Sequence, residues 1–193
     1  MRRVAVVLLV LGGALAVPAA AQSPSFQKDS SSDGRGKLDI VRVALGRNSD
    51  GRLRGEITME KPWTTSDLRA GDKQSGSICL QLYTARTAGD APPDFLVCAT
   101  PGPAGDELRG RVLRDRSNGL PRQVAAAIVT RPTERTVYLR FAQTAVDEPA
   151  VIEFAGEAVT RAAKCPKPLG CRDTAPDAPD TRNLTLRSPS ASG

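Results

Sequence analysis

Apolar and polar residues alternate along short stretches of this chain between residues 37 and 160. The clearest stretch is residues 52–60, in which charged and polar side chains fall on one face. The other face carries Leu53, Gly55, Ile57 and Met59. A period of two is typical of a β-strand that packs one face on a core. Residues 46–51, which precede it, are rich in residues that tolerate positive φ, so residues 37–60 predict a β-hairpin.

The same alternation recurs between turn signals spaced roughly every 8–12 residues, which favours an all-β fold. The predicted strands are 38–45, 52–60, 77–85, 94–100, 107–115, 123–130, 136–142 and 150–159. Strand 123–130 is apolar on both faces, which predicts a central position in its sheet. The pattern therefore predicts an antiparallel β-sandwich of about eight strands, and it leaves jelly-roll and immunoglobulin-like topologies both open.

The amino terminus has the features of an export signal. Two arginines are followed by an apolar run over residues 4–17 and by the small-residue segment Pro18–Ala21. This order predicts a signal peptide over residues 1–21, cleaved after Ala21. The run is shorter than the ~20 residues that a spanning helix needs, so we expect no transmembrane anchor in the mature chain. The expected location is secreted, either extracellular or in the cell envelope.

Composition divides the remaining chain into three parts. Residues 22–36 are polar and rich in Gly and Ser, which predicts a flexible leader. Residues 37–160 form the predicted β-sandwich domain. Residues 161–193 hold a Cys-containing loop and a Pro- and Asp-rich segment with little to bury, which predicts a disordered tail.

The charge of the chain does not indicate nucleic-acid binding. Lys and Arg number 27 against 21 Asp and Glu, and loss of Arg2 and Arg3 with the signal peptide leaves a net charge of +4. The arginines are scattered along strands opposite acidic residues, and aromatic residues make up only 4% of the chain, too few for base-stacking platforms. The abundance of Arg, Ala, Asp and Pro is typical of a bacterial genome of high GC content.

Four cysteines in an exported chain predict two disulfides, for which three pairings exist. Cys79 and Cys98 lie in consecutive predicted strands, and their pairing agrees with the alternation on both strands. Cys165 and Cys171 flank a short loop that contains two prolines. We therefore predict Cys79–Cys98 and Cys165–Cys171. The rival redox or metal role is disfavoured, because a Cys-x5-Cys spacing is not the redox Cys-x-x-Cys motif.

The residues that usually support catalysis or metal binding are scarce. The chain contains no His, which removes the commonest general base and metal ligand, and it has no nucleophile elbow, phosphate loop or dinucleotide fingerprint. Two groups of aspartates could supply oxygen ligands for calcium, but neither matches the calcium-loop pattern. They are Asp29, Asp33 and Asp39, and Asp173, Asp177 and Asp180. We predict no catalytic residues, no metal and no cofactor.

Three aromatic residues are the candidate ligand contacts. Trp63, the only Trp, lies in a Pro-containing loop where it could stack on a sugar or peptide; the alternative is that it plugs one end of the sandwich. Tyr83 and Tyr138 face away from the main apolar side of their strands. They could line a groove on the sheet or simply cover it.

The segment Asp33-Gly34-x-Gly36-x-Leu38-Asp39-Ile40-x-x-Val43, followed by a charged hairpin, resembles the first strands of secreted β-sandwich modules of the DOMON and carbohydrate-binding type. The resemblance covers about 30 residues. It implies a β-sandwich with a binding role. It does not imply haem, because haem-binding DOMON modules use His and Met ligands, whereas this chain has no His and Met59 falls at a core position.

These observations favour a non-catalytic secreted module that binds a glycan, a cell-wall component or a protein partner. The alternatives are a secreted hydrolase that uses two carboxylates, or a structural envelope protein with no ligand. The ligand and the oligomeric state cannot be read from these patterns.

Overall fold

A computed structural model describes residues 21–29, 37–69, 75–85, 91–103, 106–116, 119–160, 165, 171–177 and 180–186 of the chain. The predicted signal peptide lies almost wholly outside the described residues. Within them the fold is all-β: eleven strands pair antiparallel in one continuous sheet that is not closed, and two short 3-10 helices are present. No helix in these ranges is long and apolar enough to cross a membrane.

The eleven strands follow the alternating segments of the sequence. Their bounds are β1 Gln22–Lys28, β2 Ile40–Arg47, β3 Leu53–Met59, β4 Ser77–Tyr83, β5 Phe95–Pro101, β6 Leu108–Arg114, β7 Arg122–Thr130, β8 Thr136–Phe141, β9 Val151–Thr160, β10 Cys171–Ala175 and β11 Arg182–Thr185. Strands β2 to β9 are the eight predicted strands. The 3-10 helices cover Thr65–Leu68 and Gln143–Val146.

Three strands lie where the sequence predicted none. Strand β1 occupies part of the predicted flexible leader, and β10 and β11 occupy parts of the predicted tail. All three pair with long, strongly apolar strands: β1 with β2, and both β10 and β11 with β9. Their own apolar residues are too few to show a period of two, so pairing with an existing strand rather than local pattern makes them strands. The predictions of a flexible leader and a disordered tail are therefore wrong for these segments.

The order of strands along the sheet is β1-β2-β3-β8-β7-β6-β5-β4-β9-β10, with β11 beside β10 on the same edge of β9. The sheet folds over itself. A Cβ added at Gly156 of β9 would lie 3.4 Å from both Ile40 and Val43 of β2, and one added at Gly55 of β3 would lie 2.9 Å from Leu80 of β4. Strands β2 and β3 therefore face β9 and β4, and the core fills the space between them.

The core consists of the inward residues of these strands together with side chains from the loops. Val137, Leu139 and Phe141 of β8 point inward, as their alternation predicts, and are at most 1% exposed. Strand β7 lies in the middle of the sheet, as predicted, between β8 and β6. Only one of its faces is covered, however. Ala125, Ala127 and Val129 pack on the core, whereas Val124 and Ile128 are each 45% exposed.

Both predicted disulfides are present. Cys79 and Cys98 are directly opposed on β4 and β5, with Cα atoms 4.0 Å apart, and Gln81 and Leu96 are opposed in the same register. Cys165 is bonded to Cys171, the first residue of β10. The second disulfide thus anchors the segment after β9 at the point where the chain returns to pair with it.

Candidate functional site

Of the three aromatic candidates, Trp63 and Tyr83 are buried. Trp63 is 1% exposed, and its indole Nε1 donates a hydrogen bond to the carbonyl oxygen of Arg135 at 3.2 Å. The guanidinium of Arg131 lies 4.1 Å from the centre of the Trp63 ring system. Trp63 is therefore buried and does not present its ring for stacking on a ligand.

Tyr83 is 8% exposed, and its hydroxyl donates to Oε1 of Gln81. Burial raises the pKa of Tyr83; the nearby guanidinium of Arg172 opposes this shift, and the carboxylate of Glu157 adds to it. Gln81 in turn donates to Glu157 at 2.8 Å, and Glu157 is ion-paired with Arg172. Tyr83 is thus part of a packed polar network on the outer face of β4 and β9, and it does not line a ligand groove.

Tyr138, the third candidate, lines an open cavity of about 530 Å³. Five strands contribute to it: the start of β1, the end of β2 with its turn into β3, the start of β3, the end of β7, and β8. Its charged lining residues are Arg47, Asp50, Arg54 and Arg140. We call this cavity the arginine pocket. Its volume is in the range of small-molecule and cofactor sites.

The register of the sheet brings two of these arginines together. Arg54 of β3 is the direct cross-strand partner of Arg140 of β8. Residues that face each other across an antiparallel pair have Cβ atoms about 4.5–5.5 Å apart, and like charges in this position destabilise the sheet. Two arginine side chains that start from directly opposed positions beside a cavity create a positive potential that an anion would relieve.

Asp50 partly offsets this charge. Its carboxylate accepts a hydrogen bond from Nη2 of Arg140 at 2.7 Å and one from the backbone N–H of Arg52 at 3.1 Å. The backbone bond from Arg52, followed by the side-chain bond from Arg140, lowers the pKa of Asp50 below its ordinary value. Asp50 is therefore ionised at neutral pH and holds one of the two facing arginines.

Arg54 is held by an aromatic ring rather than by a carboxylate. Its guanidinium carbon lies 4.9 Å from the centroid of the Tyr138 ring, a distance typical of a cation–π contact. No salt bridge joins Arg54 to another residue that the structure describes. Tyr138 thus orients the guanidinium without neutralising it, and the N–H groups around its edge stay available to a ligand.

The remaining walls come from the close approach of β1. Gly46 is the cross-strand neighbour of Arg54, and a Cβ at Gly46 would lie 3.0 Å from Cα of Pro24. Glycine at position 46 therefore allows Pro24 to sit directly over β2. Arg47, the next residue, is 8% exposed at the inner end of the pocket. Gln22, the first residue after the predicted cleavage site, also lines the pocket, and its side chain donates to the backbone oxygen of Thr185.

The aspartates considered as calcium ligands have other surroundings. Asp173 is buried and accepts a hydrogen bond from the backbone N–H of Ile40 at 2.6 Å, which ties β10 to β2. Asp33 lies outside the described residues. Among the residues that the structure describes, no group of three or more His, Cys, Asp or Glu side chains could hold a metal ion.

Sequence reasoning missed Arg54 and Arg140, although it placed Tyr138 correctly on the outer face of its strand. The signal that would have found them is the register between β3 and β8, two strands far apart in the chain.

Comparison of the chain with family models, with curated proteins and with solved structures finds no match.

Proposed function

We propose that this chain is a secreted, non-catalytic module of the β-sandwich type that binds an anionic group of an extracellular ligand in the arginine pocket. The ligand classes that fit are an acidic glycan, an anionic cell-wall component and an acidic segment of a partner protein. The predicted export signal, the two disulfides and the facing of β2 and β3 against β9 and β4 support this proposal. A binding role also agrees with the resemblance to DOMON and carbohydrate-binding modules.

The opposition of Arg54 and Arg140 carries the proposal. Natural sheets avoid like charges in directly opposed positions because each pair costs stability. A site that keeps such a pair and orients one member on Tyr138, with no carboxylate partner for it among the described residues, is suited to a carboxylate, sulfate or phosphate group. Arginine binds such groups through two parallel N–H donors, which fixes the orientation of the ligand.

Cleavage after Ala21 would strengthen the site. It would create a free amino group on Gln22, which lines the pocket beside Arg47 in the β1–β2 pairing. A further positive charge would then lie at the rim of the cavity. The mature chain would accordingly bind anions more tightly than a form that retains residues 1–21.

The alternative of a carboxylate-dependent hydrolase has less support. Such an enzyme needs two carboxyl groups, one of which is protonated at the working pH because its pKa is raised. Asp50 is the single carboxylate among the described residues that line the pocket, and its pKa is lowered. This arrangement favours ligand binding over acid–base catalysis. A purely structural envelope protein would bind no small anion at this place.

Isothermal titration calorimetry of the mature protein tests the proposal. The probes are sulfate, glucuronate and, as the uncharged match for glucuronate, glucose. We expect glucuronate and sulfate to bind and glucose not to bind, and we expect affinity to fall as salt rises, because exposed charges are screened.

The variants Arg54→Gln and Arg140→Gln should each weaken binding about tenfold or more, since each removes charge-assisted hydrogen bonds. Arg111→Gln, which removes an exposed arginine on β6 outside the pocket, is the matched control and should bind as the wild type does. Equal binding of glucose and glucuronate, or unchanged affinity in both pocket variants, would contradict the proposal.

A further inference from the structure

The outer face of β7 exposes more aliphatic surface than any other strand in the described parts of the chain. The described residues include five exposed large hydrophobic residues, and three of these belong to β7 or to the loop that leads into it. Leu120 in the loop is 87% exposed, and Val124 and Ile128 are each 45% exposed. Alternation puts Val124, Ala126 and Ile128 in one row on the side away from the core. Contiguous exposed apolar surface is typical of an interaction site.

Arginines border this row on both sides. Arg111 of β6 is the cross-strand partner of Ala126, and Arg140 of β8 is the partner of Ile128. Residues 108–130 contain five arginines and one aspartate, so this hairpin carries +4 of the chain's formal charge of +6. One of the five, Arg114, is paired with Asp147 and stacks on Phe95. The other four are exposed and form no salt bridge with any residue that the structure describes: Arg109, Arg111, Arg116 and Arg122.

We propose that this surface, the hairpin face, docks on an anionic lipid bilayer. The hairpin face comprises Leu120, Val124, Ala126, Ile128 and the four arginines named above. Aliphatic side chains gain free energy by entering the region between headgroups and acyl chains, and guanidinium groups beside them bind lipid phosphates. An aliphatic row flanked by arginines has both features, and the strong positive charge is complementary to the surface of an anionic membrane.

A glycan fits this face less well. Sugar rings stack on aromatic side chains, whereas the large exposed side chains of β7 and its leading loop are aliphatic. The row is also one strand wide and has no Trp or Tyr to serve as the buried anchor that protein interfaces usually contain. The lipid surface is therefore the occupant that the composition of the face favours, and an acidic protein partner becomes an outcome of the test. The inference does not depend on ligand binding in the arginine pocket.

Co-sedimentation of the mature protein with vesicles tests the inference. We expect it to bind vesicles that contain phosphatidylglycerol and to leave pure phosphatidylcholine vesicles unbound. Changing the four free arginines of the hairpin face to Gln should lower partitioning at least tenfold. The variant Leu120→Ser/Val124→Ser/Ile128→Ser should also lower partitioning several-fold, because it removes the aliphatic side chains that enter the bilayer. These side chains are exposed, so their loss leaves the core intact. Arg182→Gln, which removes an exposed arginine on β11 outside both the hairpin face and the arginine pocket, is the control variant and should partition as the wild type does.

Leu120→Trp provides a reading that does not depend on loss of function. Leu120 has almost no packing to lose, and the native Trp63 is buried and supplies a constant background. When phosphatidylglycerol vesicles are added, the fluorescence emission of the Leu120→Trp variant should shift to shorter wavelength. Brominated acyl chains should quench this emission. Three results would overturn the proposal: no binding to anionic vesicles, binding that the aliphatic substitutions leave unchanged, or capture of a soluble acidic protein that persists in the triple-Ser variant while vesicle binding is absent.

Discussion

At the scale of the residue, the two opposed arginines of the pocket lower the stability of the sheet and give the cavity a positive charge. An oppositely charged pair in place of Arg54 and Arg140 would stabilise the sheet more. Asp50 relieves Arg140, and Tyr138 orients Arg54. The carboxylate of Asp50 therefore competes with any anionic ligand for the guanidinium of Arg140.

Asp50→Asn should raise the affinity of the pocket for sulfate several-fold, because it removes the competing carboxylate and its charge. The lowered pKa of Asp50 also predicts the pH dependence in the wild type. The carboxylate stays ionised until the pH falls through its lowered pKa, which is less than the ordinary value of 3.8. Protonation of Asp50 then releases Arg140. Sulfate affinity should thus rise at that low pH in the wild type, and the ion pair's contribution to folding should be lost over the same range.

Calorimetry with sulfate, a weaker base than an ordinary carboxylate, measures the sulfate affinity of both proteins at neutral and at acid pH. Asp50→Asn should show no such rise with acid. Weaker sulfate binding in Asp50→Asn than in the wild type at neutral pH would mean that Asp50 positions Arg140 for the ligand rather than competing with it.

Sequence reasoning at this scale succeeded where only local pattern mattered. It put Tyr138 on the outer face of its strand, and it paired all four cysteines correctly. It could not choose among the aromatic candidates, since burial of Trp63 depends on contacts with Arg131 and Arg135 in a distant loop.

At the scale of the element, the ends of the chain complete the sheet. Strands β10 and β11 share one edge of β9, and Leu184 of β11 is 3% exposed in the core. Asp173 of β10 reaches the backbone of β2, and Gln22 of β1 reaches Thr185 of β11. Alternation alone missed these strands because each is short and polar on its outer face, and its partner strand supplies most of the apolar contact.

Leu184→Ala tests whether the carboxyl-terminal segment is part of the core. Truncation of a buried Leu typically costs about 2–5 kcal/mol, and we expect a value near the lower end because Leu184 lies at the edge of the sheet. Urea denaturation measures the change in the free energy of unfolding. Thr185→Ala, an exposed neighbour on the same strand, is the control and should change it by less than about 0.5 kcal/mol. Equal stability of Leu184→Ala and the wild type would place the segment outside the core.

The two disulfides should contribute unequally. Replacing Cys79 and Cys98 together by Ala should destabilise the fold by about 2–4 kcal/mol, because this bond closes a loop with a sequence separation of 19. The bond between Cys165 and Cys171 closes a separation of 6, and the chain-entropy model gives about 1 kcal/mol less for it. Thermal and urea unfolding of the two double variants decides the order. A larger loss of unfolding free energy on replacing Cys165 and Cys171 would contradict this order. It would show that anchoring β10 stabilises the fold more than the difference in loop length does.

At the scale of the whole molecule, one antiparallel sheet folds over a single core and brings distant segments to one surface. The arginine pocket gathers residues from β1, β2, β3, β7 and β8, and the hairpin face lies on the adjoining part of β7. The class of the fold and eight of its strands followed from alternation and turn signals. The pocket did not, because it depends on the pairing of β3 with β8, which no local pattern determines.

Export is the condition for both proposals. Mass spectrometry of the protein recovered from the medium or envelope should show a mature chain that begins at Gln22. Such a chain presents the new amino group in the lining of the arginine pocket. A recovered protein that keeps Met1 to Ala21 would contradict the predicted cleavage and would leave the first strand continuous with the apolar run.

The most direct test of the central claim is an NMR titration that follows the side-chain Nε–H resonances of the arginines in the mature protein as sulfate is added. Binding in the arginine pocket should give saturable shifts for Arg54 and Arg140, with the resonances of exposed arginines such as Arg182 unmoved at the same sulfate concentration. Small, linear shifts spread evenly over all arginines would mean general ionic association, and they would contradict an anion site at this pocket.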